Sequence, residues 1–106
     1  MSKEKLTLLS NAINQKLLVK FNYDDCQRLV EPHLLGETNK GNLILKAYQI
    51  AGTTKRSKVP SWASFTIGKI KELELVETAF EKRASLNIEA EIETIFVKMI
   101  SQIEAD

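Results

Sequence analysis
A chain of 106 residues with 43% hydrophobic and 27% charged content has the size of one compact domain and leaves no room for two. Its lone cysteine, Cys26, excludes an internal disulfide, and no run approaches the ~18 uninterrupted apolar residues of a membrane helix. The opening Met-Ser-Lys-Glu-Lys lacks the apolar stretch of a signal peptide, so a soluble cytoplasmic protein is expected. The net charge of +1 hides an asymmetry: twelve Lys or Arg stand against five Asp or Glu up to Lys71, and three against nine from Glu72 onward. Either the basic part meets an anion such as nucleic acid, or the two parts neutralise each other within the fold or between subunits.

Between Lys3 and Gln15 the apolar residues Leu6, Leu9, Ala12 and Ile13 fall at helical spacing, which predicts a short amphipathic helix. From Leu17 the period drops to two: Leu17, Val19, Phe21 and Tyr23 face one way, Lys20 and Asn22 the other, as in a half-buried strand. Asp24-Asp25-Cys26-Gln27 reads as a turn, since Asp side chains bond the nearby backbone. A second strand starts at Arg28 and meets Pro32, whose missing N–H calls for an edge position, a bulge or a bend. Asn39-Lys40-Gly41-Asn42 is a polar hairpin tip, and Leu43 to Tyr48 alternate as a third strand.

Ala51-Gly52-Thr53-Thr54 is a further turn signal, Lys55 to Val59 reads as a fourth strand ended by Pro60, and Ser61 to Lys69 as irregular or a single helical turn. Lys71 to Val76 is a short last strand with Leu73 and Leu75 inward. From Ser85 to Glu104, Ile88, Ile92, Ile95, Phe96, Met99 and Ile103 form a stripe that predicts a longer, acidic C-terminal helix. That helix either docks on its own barrel or pairs two chains into a homodimer through Ile88, Ile92, Ile95 and Met99. The expected fold is mainly β with flanking helices: a small antiparallel barrel of about five strands, closed to remove exposed edges. Residues 1–80 would form the barrel with its N-terminal helix, and 81–106 the acidic helix, part of the same domain or an oligomerisation element.

Phe21-Asn22-Tyr23, Arg28-Leu29-Val30-Glu31-Pro32, Leu43-Ile44-Leu45-Lys46-Ala47-Tyr48 and Phe65-Thr66-Ile67-Gly68-Lys69-Ile70 together resemble the WYL domain, a small Sm-like β-barrel of bacterial transcription regulators. The Arg-x-Val-Glu-Pro element matches closely. The family's aromatic Trp-Tyr pair is replaced by Leu43 and Ile44, and the first Arg of the closing segment by Thr66, with Lys69 where Arg is usual. The resemblance spans roughly Leu6 to Phe80 and implies an anionic effector, often nucleic acid. It also implies a separate DNA-binding protein, because the family's usual helix-turn-helix domain is missing from this sequence.

On that resemblance and on the basic residues, a ligand site is expected from Arg28, Arg56, Lys58 and Lys69, shaped by Tyr23, Tyr48 and His33. Guanidinium groups grip phosphate bidentately, whereas ammonium groups act as point charges. Trp62 and Phe65 are either stacking platforms or core aromatics. With a single histidine, His33, no Ser-His-Asp set is possible, and a Cys26–His33 dyad requires the bend at Pro32 to bring the two together. Asp24, Asp25 and Glu31 match no cation loop, and no phosphate loop or zinc spacing is present. The reading is a non-enzymatic binding module without metal or cofactor, the alternative an adaptor using its C-terminal helix.

Overall fold
A computed structural model describes residues 2–52, 61–81 and 96–103. The chain opens with helix α1 (Ser2–Gln15), which buries Leu9, Ala12 and Ile13 and partly buries Leu6, the expected stripe. Lys16 takes a left-handed φ of 56°, stopping the helix, and its carbonyl accepts the N–H of Phe80 at 2.9 Å. Strand β1 (Leu17–Tyr23) follows at once. The turn after it is tighter than expected. Asp24 and Asp25 alone form it, both with positive φ, and Cys26 already pairs with Tyr23. Short polar side chains tolerate that left-handed pair, the conformation of the hairpin turn that suits strand twist.

Strand β2 (Cys26–Thr38) runs through Pro32 without ending. The expected irregularity is a bulge at His33: Pro32 opposes Ala47 and Leu34 opposes Lys46 on β3 (Leu43–Gly52), so one extra residue sits on β2. The β2–β3 tip is closed by the Thr38 and Asn42 backbone at 2.9 Å, with Gly41 at φ 81°. The expected fourth strand, Lys55 to Val59, lies outside the described residues. Ser61 to Thr66, expected to be irregular, is strand β4 (Ser61–Thr66), with Ala63 and Phe65 paired to Ala47 and Leu45. A 3-10 turn, Ile67–Lys69, leads into β5 (Lys71–Ala79), three residues longer than expected. Leu73 packs on the core as expected. Leu75 does not go inward: it remains 38% exposed, because β5 ends the strand path.

The largest correction concerns the C-terminus. Phe96–Gln102, expected to be helical, is strand β6, antiparallel to the second half of β2. Its pairing slips twice, between Leu35 and Gly36 and between Glu37 and Thr38. Each slip adds a residue to β6, so a strand acquires three-residue steps that imitate helical spacing. Phe, Val and Ile also favour strands, and the open edge of β2 supplies the partner. The part of the expected helix from Ser85 to Ile95, with Ile88, Ile92 and Ile95, lies outside the described residues. A helix-paired homodimer has no helix at Met99 to use.

The described residues thus form α1 and a six-stranded antiparallel sheet in the order β4-β3-β2-β1-β5, with β6 on β2. One bent strand, β2, serves β1 with its first half and β6 with its second. The core lies between the bent sheet and α1 and includes Val19, Phe21, Val30, Leu45, Phe65, Ile67 and Ile103. No described helix is long and apolar enough to cross a membrane.

Candidate functional site
The Arg28 guanidinium is drawn into the molecule rather than displayed on it. Arg28 stands opposite Phe21 in the β1–β2 ladder, on the face that carries Val19 and Val30, and is only 6% exposed. Its Nη1 donates to Gln49 Oε1 at 3.2 Å and its Nη2 to the Tyr23 carbonyl at 3.1 Å. The Tyr23 and Phe65 rings flank it at 5.6 and 5.7 Å, within cation–π range. Among the described residues no carboxylate pairs with this cation, and its buried Nε has no acceptor. Desolvating a charge is costly unless opposite charge and hydrogen bonds restore the loss; here two hydrogen bonds and two aromatic faces offset part of it, and the Nε donor is left uncompensated.

Tyr23 and Gln49 complete the surroundings. Tyr23 makes edge contacts with Phe21 and Phe65 at 6.4 and 5.0 Å, and its hydroxyl accepts the Thr66 N–H at 3.1 Å. Gln49 is buried, and its Nε2 donates to the Ala51 carbonyl at 3.2 Å, which fixes Oε1 toward Arg28. Nothing in residue type singled Gln49 out, but its place was readable. It occupies the inward register of β3 after Leu45 and Ala47, where a polar residue needs a partner.

Of the residues expected in one site, Arg28 and Tyr23 come together. Tyr48 and His33 belong to a second group around Trp62. Tyr48 and His33 meet Trp62 edge-on at 5.1 and 4.9 Å, His33 lies 5.3 Å from Phe80, and its Nδ1 is 2.8 Å from the Glu31 carbonyl oxygen. Glu31, opposite Tyr48 in the ladder, is buried too. Trp62 is half-buried and Phe65 is core. Lys69 is exposed on the 3-10 turn, whereas Arg56 and Lys58 lie outside the described residues. Cys26 and His33 are separated by about 20 Å of strand and do not form a dyad. Asp24 and Asp25 are exposed at the β1–β2 turn, apart from Glu31. Among the described residues no three His, Cys, Asp or Glu are grouped to hold a metal ion.

Outside these groups, Asn22, Asp25, Gln27, Lys71 and Glu72 line a shallow open depression of mixed charge. Glu72 adopts a φ of 54° at the β1–β5 bulge, and its carboxylate accepts Asn22 Nδ2 at 3.0 Å.

No protein-family model matches the chain, and no curated protein does. Among solved structures the chain is similar to proteasome accessory factor B/C (PafBC) of Arthrobacter aurescens, with a TM-score of 0.65 and 19% identity. The likeness covers 83% of this chain but spans only 14% of that one, a small segment of a much longer protein. At that identity the likeness concerns the fold alone, and it supports a WYL-like architecture.

Proposed function
We propose that this chain is a non-enzymatic regulatory module of the cytoplasm that binds an anionic ligand, nucleic acid or a nucleotide-like effector, at Arg28 in the control of transcription. One observation carries the reading: among the described residues Arg28 is buried without a carboxylate and keeps an Nε donor without an acceptor. An oxyanion bridging Nε and the adjoining Nη would supply the missing charge and hydrogen bond together, and charge-assisted pairs of that kind are about twice as strong as neutral ones. Tyr23 and Phe65 give aromatic walls on either side. The WYL-like fold seen in the likeness to a segment of PafBC agrees with a regulatory role, in which a longer protein or a separate DNA-binding partner supplies what 106 residues do not.

Fluorescence anisotropy with labelled single-stranded DNA and RNA, and competition by nucleotides and inorganic phosphate, tests this at low and moderate salt. The wild type is expected to bind at low salt and Arg28→Met at least about tenfold more weakly, as expected when a charge-assisted bidentate contact is lost. Absence of binding to every one of these anions by the wild type overturns the reading.

A further inference from the structure
Tyr23 is engaged through three separate parts at once. Its carbonyl holds Arg28 Nη2 at 3.1 Å, its ring lies against the same guanidinium at 5.6 Å, and its hydroxyl holds the Thr66 N–H at 3.1 Å. Thr66 is the last residue of β4, which ends the strand path opposite β5. The Thr66 N–H therefore finds its acceptor in a side chain that reaches across from β1 rather than in a neighbouring strand. Tyr23 joins the two separated sides of the bent sheet at this corner. Immediately beyond it the 3-10 turn begins, and the Ile67 carbonyl accepts Lys5 Nζ of α1 at 3.3 Å.

We propose that Tyr23 is a clasp between the Arg28 guanidinium and the end of β4, which opens when Arg28 no longer holds the Tyr23 carbonyl. The proposal rests on the anion reading for its trigger and on hydrogen-bond geometry for its mechanism. A ligand oxygen that takes Nε and Nη2 draws on the same nitrogen that holds the Tyr23 carbonyl. Nε is buried in the present arrangement, so an anion reaches it only after a shift of the surrounding groups, and Tyr23 is among them. A shift of the Tyr23 backbone moves the phenol with it and frees the Thr66 N–H at the β4 edge. The free energy of ligand binding is then converted into a change at the β4–α1 corner, where a partner strand or domain would read it. Tyr23 and Arg28 act here as positioning residues.

Coupling of this kind is established by breaking one end and reading the other. The readout is amide hydrogen exchange at Thr66 in the full chain, with the amides of Val19 and Leu45 as core references. In Tyr23→Phe, Thr66 is expected to exchange about tenfold faster while the references hold, since only the hydroxyl is lost. In Arg28→Met, which does not touch Thr66, the same amide is expected to speed up several-fold with unchanged references. Thr66 exchange at the wild-type rate in Arg28→Met overturns the clasp, and so does an equal rise at all three amides, which would make Arg28 a contributor to global stability alone. Arg28→Lys, judged by the same criterion, replaces Arg28→Met if that variant does not fold. Addition of single-stranded DNA or inorganic phosphate to the wild type separates the two proposals. Binding with faster Thr66 exchange supports both, and binding with unchanged Thr66 overturns the ligand trigger. No binding overturns the anion reading and the trigger with it, while the variants alone decide the clasp.

Discussion

Gly52 stands opposite Arg28 in the β2–β3 ladder so closely that a Cβ on it would lie 2.2 Å from the Gln27 carbonyl oxygen. Its φ of 97° is also one that residues with a side chain rarely adopt. Gly52→Ala meets both obstacles, and since the contact is backbone to backbone, no side chain can swing aside. The expected loss is about 2–4 kcal/mol, read as a lower denaturant midpoint with an unchanged slope. A wild-type midpoint would show that the strands separate here at little cost.

Gln49 offers a second test, one that separates charge from shape. Gln49→Glu places a carboxylate where Oε1 now lies 3.2 Å from Arg28 Nη1. The new ion pair supplies from within the opposite charge that the anion reading assigns to a ligand. Anion affinity is expected to fall by about tenfold or more, while the second carboxylate oxygen loses the donation to the Ala51 carbonyl, so the ion pair is not expected to raise the melting temperature. Retained binding in the anisotropy titration would mean that the ligand, if any, uses other cations.

If the ligand is a single-stranded nucleic acid, its affinity must follow counterion release. The logarithm of the association constant should fall linearly with the logarithm of salt concentration, by about 0.7 per phosphate neutralised. Repeating the titration at four salt concentrations gives that slope. A flat response would exclude phosphate contacts and leave a small ligand held mainly by hydrogen bonds and stacking.

Ile103 tests the corrected C-terminus. It is part of the buried core, and its N–H donates to the His33 carbonyl at 2.8 Å, at the β2 bulge. Ile103→Asp places an unpaired charge there and is expected to cost about 3–5 kcal/mol, with aggregation as the edge of β2 from Leu34 to Thr38 loses its cover. Unchanged stability and solubility would show that β6 contributes little.

Much of this architecture is written in local pattern. The alternation of Leu17, Val19, Phe21 and Tyr23 marks β1, and Asn39 to Asn42 marks the hairpin tip, because period and turn chemistry are properties of neighbouring residues. β4 was hidden because Ser61, Ser64 and Thr66 are weakly apolar company for Trp62 and Phe65. β6 was hidden for a different reason. Its bulges give it a period that belongs to helices, and only its long-range partner on β2 settles the matter. At the candidate site, Arg28 stood out through the family pattern, whereas its burial and its hold on Gln49 depend on residues 21 apart in sequence that pattern alone does not bring together. The grouping of His33 with Trp62 and Phe80 likewise arises from three separate strands or strand ends.

The bulge at His33 lets one strand serve two partners, and this orders the making of the fold in time. The β1–β2 hairpin closes over two residues, Asp24 and Asp25, and belongs among the fast local events of folding. The partner of Leu34 is Gln102, 68 positions later, so that pairing must wait for a long loop to close. During synthesis the second half of β2 has its β3 neighbour long before residues 96–103 leave the ribosome. Through that interval the stretch of β2 from Leu34 to Thr38 lacks its β6 partner, a strand edge that invites pairing with a neighbouring molecule.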